Sequence, residues 1–288
     1  MRILGGSMGG GTAEHWRLRA LALAAAEAGG RAALRHFRRA GLAVEWKADE
    51  SPVTVADREA EAACRAVIQD ACPNDHWLGE ESGAVAPVAP GTPGSGEHAL
   101  RLWIVDPIDG TRNFIRGIPL WSTLVACEEI DVTGARTVVA AAVALPALDE
   151  RYDAVRGGGA RCNGAAIRVS TIASLADALF CYETPAWFER HGLGAAFTRL
   201  CAGSALQRGG GDAFFHMLVA SGRAELVVEP SLSVWDVAAT SLIVEEAGGR
   251  FSDCSGRHDI RAQEAVVSNG LLHPEALAII AAVRPRRA

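Results

Sequence analysis

The sequence predicts a mixed α/β chain in two unlike halves: two helices covering a mostly antiparallel sheet, then an alternation of strands and helices. Helical spacing at residues 12–39 and 55–72 predicts the covering pair, and short β-rich segments parted by turns between 120 and 169 predict the sheet. From about residue 170 the pattern changes to strands separated by helix-length segments. With 288 residues, 49% hydrophobic and 22% charged, the chain can bury a sizeable core in one large domain or two. We divide it at that change, into an α+β part over residues 12–170 and an α/β part over 171–288. Residues 1–11 are Gly-rich without the Gly-Lys-Ser/Thr of a P-loop and read as a disordered extension, or as a start-site artefact with Met8 as the true start.

Thr12 caps the first helix, Glu14 sits in its first turn, and alanines, leucines and arginines repeat at helical spacing to about Arg39. The pair Gly29-Gly30 weakens this helix without having to break it. Residues 44–47 alternate like a short strand, residues 47–54 turn, and the helix over 55–72 gathers Ala60, Ala63, Cys64, Val67 and Ile68 on one face. Residues 76–82 form another short strand that ends in Glu80 and Glu81, and residues 84–99, rich in Pro, Gly, Ala and Ser, read as a mobile loop. Residues 120–128 and 138–145 are β-rich around a turn at 131–134, and strand and turn continue through 152–155, 157–159, 162–165 and 167–169. In the second half, 178–182 is a strand, 185–200 helical, 213–221 a short apolar helix and 224–228 a strand that ends at Glu229-Pro230. A long helix from Trp235-Asp236 to Glu246 is stopped by Gly248-Gly249, followed by strands at 250–252 and 265–270 and a last helix over 274–283.

Composition removes several function classes. A net charge of −6 with scattered Lys and Arg argues against a nucleic-acid surface. The longest apolar stretch, residues 20–28, is too short to span a membrane and is interrupted by Glu27. Seven cysteines at 64, 72, 127, 162, 181, 201 and 254, odd in number and without a CxxC pair, fit reduced core thiols in a cytoplasm.

The chemistry concentrates in residues 103–114, Trp-Ile-Val-Asp-Pro-Ile-Asp-Gly-Thr-Arg-Asn-Phe. An apolar run delivers Asp106 and Asp109 to a strand end, where Pro107 and Gly110 predict that the chain leaves the strand and turns. Two like charges among apolar neighbours need cations or donors, and hard oxygen ligands without nearby Cys or His favour Mg²⁺ or a similar ion. The alternative is a turn whose aspartates cap the next helix. The same alternative applies to Asp57, an acid in a first helical turn. Glu80 and Glu81 end a second strand in carboxylates, which suggests a shared metal site, and a phosphate substrate would need metal to offset so acid-rich a site.

Gly79-Glu-Glu-Ser82, the Trp103-x-x-Asp-Pro-x-Asp-Gly-Thr111 string and Trp235-Asp-x-Ala238 together resemble the signatures of the inositol monophosphatase family, Mg²⁺-dependent, lithium-sensitive phosphatases. The resemblance spans about residues 18–277 and implies a layered αβαβα fold with two or three Mg²⁺ ions in each site. It makes Glu80, Asp106, the Ile108 carbonyl, Asp109 and Asp236 the metal ligands. It makes Asp57 the acid that binds a further ion through water and Thr111 the hydroxyl that orients the attacking water, so Glu80, Asp57 and Thr111 stand as the catalytic set. Paired ions held by shared carboxylates can stabilise both the entering and the leaving oxygen. The amides of Gly110 and Thr111 can hold phosphate oxygens, and no His or Cys nucleophile is implied. Homodimers are usual in the family.

Within the family the likeness is greatest to bacterial histidinol-phosphate phosphatases, carried by Lys47 with residues 51–57, residues 112–121, residues 208–215 and residues 229–236. A substrate with an ammonium and an imidazole calls for acids away from the metals. Asp212 and Glu229 are placed for that, unless Asp212 only caps the helix that follows and Glu229 only ends a strand. Arg208 is a candidate clamp on an acid or on the substrate phosphate, and His216, inside an apolar helix, reads as a core residue. The expected activity is a phosphomonoesterase on histidinol phosphate. The alternatives are the same chemistry on inositol or other sugar phosphates, or a metal-binding regulatory protein without catalysis.

Overall fold

A computed structural model describes residues 12–47, 52–85 and 100–284. The expected extension at 1–11, the middle of the turn at 47–54 and most of the loop at 84–99 lie outside the described residues. The first part runs α1 (Ala13–Leu34), β1 (Val44–Trp46), β2 (Pro52–Thr54), α2 (Val55–Ala71), β3 (His76–Gly79), β4 (Gly83–Val85), β5 (Leu100–Asp109) and α3 (Thr111–Ile115). It continues with β6 (Ser122–Ile130), β7 (Arg136–Leu145), β8 (Glu150–Val155), β9 (Gly159–Cys162) and β10 (Ala165–Ala166). The second part comprises β11 (Leu179–Tyr182), α4 (Pro185–Arg190), α5 (Gly194–Gly203), β12 (Leu206–Gly209), α6 (Asp212–Ala220) and β13 (Leu226–Glu229). It ends with α7 (Val234–Glu246), β14 (Arg250–Ser252), β15 (Ala265–Ser268) and α8 (His273–Ala281).

Strands β3 to β10 make an eight-stranded sheet in the order β10-β9-β8-β7-β6-β5-β3-β4, antiparallel except where β3 runs parallel to β5. The second sheet, β12-β11-β13-β15-β14, is parallel about β11 and antiparallel beyond β13. Alternation along each strand decides the layers. On β5 and β6, Trp103, Val105, Val125 and Cys127 pack with Leu18, Ala22, Ala25, Cys64 and Ile68 of α1 and α2, while Ile104, Leu124 and Ala126 face the core that holds α6 and α7. Val227 and Val267 of the second sheet join that same middle core. Phe180, Leu226, Val228 and Val266 point the other way, onto Phe188, Leu200 and Ile280 of α4, α5 and α8. The order α1/α2, sheet, α6/α7, sheet, α4/α5/α8 is the layered αβαβα arrangement.

Several elements differ from the sequence reading. Helix α1 stops at Leu34, not near Arg39, because Phe37 leaves the helical path to join Phe114 and Trp121 at ring separations of 5.5 Å, and Arg38 takes a left-handed φ of 59°. The expected helix over 185–200 is two helices, α4 and α5, parted at Gly192 with φ 71°. Residues 167–169 form no strand; the Val169 amide instead bonds the Ala247 carbonyl beyond α7. The Gly29-Gly30 pair sits inside α1, where a Cβ on Gly29 would lie 2.4 Å from the Cys64 sulfur and one on Gly30 2.6 Å from Pro146 Cγ. These glycines let α1 lie close on α2 and on the turn after β7, which offsets their poor helix propensity.

Candidate active site

Strand β5 does not end before Asp109, as Pro107 had suggested. It continues with a bulge: Asp106 pairs with Leu124 and Asp109 with Ser122, three steps on β5 against two on β6. The extra residue removes the need for a ladder amide at Pro107, whose carbonyl instead accepts from Thr123 Oγ1 at 2.8 Å. It also has a chemical consequence. Residues three apart on a regular strand face opposite sides, and a one-residue bulge restores both carboxylates to the same side. The turn comes at Gly110, in the left-handed region at φ 81°, where a Cβ would meet Asp212 Oδ2 at 2.9 Å and the Leu120 carbonyl at 3.0 Å.

Asp236 arrives from the first turn of α7. Its Oδ2 accepts from the Ser233 amide at 2.7 Å in a capping box, and it offers an oxygen within 4.8 Å of oxygens from Asp106 and Asp109. Asp57 is placed the same way on α2: its Oδ2 accepts from the Thr54 amide and hydroxyl, each at 2.7 Å, which leaves Oδ1 toward Thr111 Oγ1 at 3.4 Å. In Asp57 the cap takes one carboxylate oxygen and leaves the other toward Thr111, so capping does not use up the carboxylate. Thr111 Oγ1 also donates to the Ile108 carbonyl at 2.9 Å. Glu80 lines the same cavity, and its carboxylate bonds Lys47 Nζ at 2.9 Å; Nζ also holds Glu81 at 2.7 Å. Buried Glu61 accepts from the amides of Glu81 and Ser82 at 2.8 and 3.0 Å, which pins the turn that carries Glu80.

These acids are held away from their ordinary ionisation. Burial, then the charge of Glu80, raises Asp106 well above the usual range, and burial, then Asp236, does the same to Asp109. Burial lifts Asp236 to about 7 and Asp57 to about 6. Burial also lifts Glu81 to about 7 despite its bond to Lys47. Burial pulls the Lys47 ammonium down, but its bonds to Glu81 and Glu80 prevail and hold it up. Asp106 Oδ1 is buried and has no hydrogen-bond partner among the described residues. An all-oxygen cluster of carboxylates with an orphaned oxygen fits a hard divalent cation such as Mg²⁺. The Asp106, Asp109 and Asp236 carboxylates would hold it, with Glu80 beside Asp106.

The cavity, about 160 Å³, lies between the two sheets and is also lined by Gly110, Thr111, Asp212 and Glu229. Asp212 occupies the first position of α6 with a left-handed φ of 43°, and its Oδ2 accepts from Asn113 Nδ2 at 3.2 Å. Glu229, at the end of β13, accepts from His216 Nε2 at 3.0 Å, and His216 Nδ1 meets Thr240 Oγ1 at 2.9 Å, so this histidine is a bonded core residue that also reaches the cavity. Arg208 lies outside the cavity lining, exposed on edge strand β12, and donates to the Gln207 carbonyl at 2.7 Å. Sequence reasoning missed Glu183 and Trp187, which line the cavity from the end of β11 and from α4, and missed Glu61 as the support of Glu80. An acid directly after the strand 178–182 was the available signal for Glu183.

The profile of the inositol monophosphatase family matches residues 16–286. The chain is 38% identical to the histidinol-phosphatase of Streptomyces coelicolor over 262 residues, 89% of this chain and 94% of that protein. It is 41% identical to the histidinol-phosphatase of Chlorobaculum parvum over 251 residues, 86% of this chain and 90% of that protein. Among solved structures, the extragenic suppressor protein SuhB from Bartonella henselae superimposes with a TM-score of 0.81 at 29% identity, covering 92% of this chain and 98% of that one. A bulged strand that sets two aspartates side by side, a capped helix that adds a third, and a match along almost the whole chain make this protein a member of the inositol monophosphatase family.

Proposed function

We propose that the protein is a Mg²⁺-dependent phosphomonoesterase that converts L-histidinol phosphate and water to L-histidinol and phosphate. The observation that carries this reading is the cluster of Asp106, Asp109 and Asp236 in a cavity that the further acids Asp212 and Glu229 also line. The identity to two histidinol-phosphatases supports the substrate. Two or three bound Mg²⁺ ions would supply positive charge to the phosphate oxygens and acidify water. The chain's residues do the rest. The amides at the start of α3 face the phosphate, and Thr111 Oγ1 orients the attacking water. As the water oxygen bonds to phosphorus, the ester P–O bond breaks; one water proton passes through Thr111 Oγ1 to Asp57 Oδ1, and the departing histidinol oxygen takes a proton from solvent.

The same reading makes the protein cytoplasmic, in keeping with seven free cysteines, and, by family habit, a homodimer that analytical ultracentrifugation would check. Among the described residues no helix is long and apolar enough to cross a membrane. The deciding experiment is phosphate release with and without Mg²⁺ from histidinol phosphate, inositol 1-phosphate and a 3′,5′-nucleotide bisphosphate. Mg²⁺-dependent release with histidinol phosphate preferred is expected. Preference for inositol 1-phosphate would move the substrate to sugar phosphates, and no release from any would leave a metal-binding protein without catalysis.

A further inference from the structure

Three acids stand on the substrate side of the cavity, and they are not equivalent. Glu229 is engaged with His216, itself tied to Thr240. Asp212 accepts from the Asn113 side chain, and its backbone is held in the left-handed region, which sets its carboxyl toward Glu183. Glu183 contacts Asp212 through both the Asp212 carboxyl and its amide, yet its Oε2 is buried with no hydrogen-bond partner among the described residues. Burial and then the negative charge of Glu229 push the Glu183 carboxyl up, an influence that outweighs the opposing charge of Arg112. A buried acceptor without a donor is costly unless a ligand supplies one. Trp187, in the first turn of α4, lines the same wall.

We propose that Glu183, backed by Asp212 and walled by Trp187, is the specificity-determining acceptor for a protonated nitrogen on the substrate, so that the enzyme favours phosphomonoesters carrying an ammonium or imidazolium over those with uncharged alcohols. This rests on the phosphatase reading above and moves the discriminating contact to an acid that no sequence motif marked. A cation there completes Glu183 Oε2 with a charge-assisted hydrogen bond and relieves the repulsion among three carboxyls. The aromatic wall favours the same charge.

The test compares wild type with Glu183→Gln on histidinol phosphate and on glycerol phosphate. A parallel calorimetric titration with histidinol, which carries the cation but no phosphate, reads the subsite without turnover. Glu183→Gln should lower the ratio of kcat/KM on histidinol phosphate to that on glycerol phosphate by about tenfold or more, through KM, and weaken histidinol binding by a similar factor. Trp187→Leu, which leaves the acid pair intact, should lower the ratio several-fold even if Glu183→Gln folds poorly. An unchanged ratio in both variants, or equal histidinol affinity in wild type and Glu183→Gln, overturns the proposal. Should wild type hydrolyse neither substrate, the functional reading falls, while loss of histidinol binding in Glu183→Gln would still establish the subsite.

Discussion

Buried carboxylates on neighbouring strands of one sheet, Glu128 on one and Asp106 and Asp109 on the other, meet opposite environments. Glu128 on β6, 1% exposed, receives two bonds from Arg261 at 2.8 and 2.7 Å and a third from Arg136 at 2.9 Å. Asp106 and Asp109 on β5, 2% and 7% exposed, face Asp236 and Glu80 instead, and the donors to Asp109 are the neutral Ser122 hydroxyl and Ala213 amide. Burial is nearly equal, so burial does not mark the functional acids. What marks them is that like charges surround them where guanidinium groups surround Glu128, so their compensation must come from outside the chain.

The sharpest way to break this comparison is Asp106→Asn. Phosphate release should fall by three or more orders of magnitude at saturating Mg²⁺, while the metal-free protein should melt higher than wild type because one of several mutually repelling acids is gone. Retention of more than about a tenth of the turnover would take Asp106 out of the ligand set. Thr111→Ala follows, with kcat expected to drop roughly 10²–10⁴-fold and Mg²⁺ affinity nearly constant. If high Mg²⁺ restores kcat, the hydroxyl serves the metal rather than the water.

Smaller effects sharpen the contrast. Asp212→Asn should lower the preference for histidinol phosphate over glycerol phosphate about tenfold, and Glu229→Gln less, because Glu229 already has His216 as a partner. Equal effects would mean that the His216 bond does not withdraw Glu229 from the substrate. Glu128→Gln should leave phosphate release nearly intact but cost about 2 kcal/mol in denaturant unfolding, less than a fully buried pair because Arg136 and Arg261 keep part of their hydration. The mildest expectation is a pH slope. With EDTA present, Asp57 near 6 and Asp236 near 7 exceed their unfolded value of 3.8, so the folded chain binds more protons and its stability should decline as pH rises from 5 to 8. Saturating Mg²⁺ should flatten that decline, and a melting temperature that climbs over this range without metal would contradict the raised values.

Much of the molecule was legible in order along the chain. The Asp-Pro-Ile-Asp-Gly-Thr string, the Trp-Asp at the head of a helix and the Glu-Glu at a strand end were each visible from local pattern, because strand periodicity, helix caps and glycine turns are decided by a few neighbouring residues. The αβαβα layering came from the family resemblance, and the alternation on β5, β6 and β13 agrees with it. Local pattern could not show that Pro107 lies in a bulge rather than beyond the strand, since a bulge is a relation between β5 and the register of β6. Nor could it show that Glu128 is paired with Arg261, 133 residues away, while Asp106 keeps one buried oxygen without a hydrogen-bond partner among the described residues. The sequence by itself determined which acids stand at element ends. Only the tertiary structure decided which of them meet cations and which meet one another, because charge compensation depends on distances of a few ångströms between segments remote in the chain.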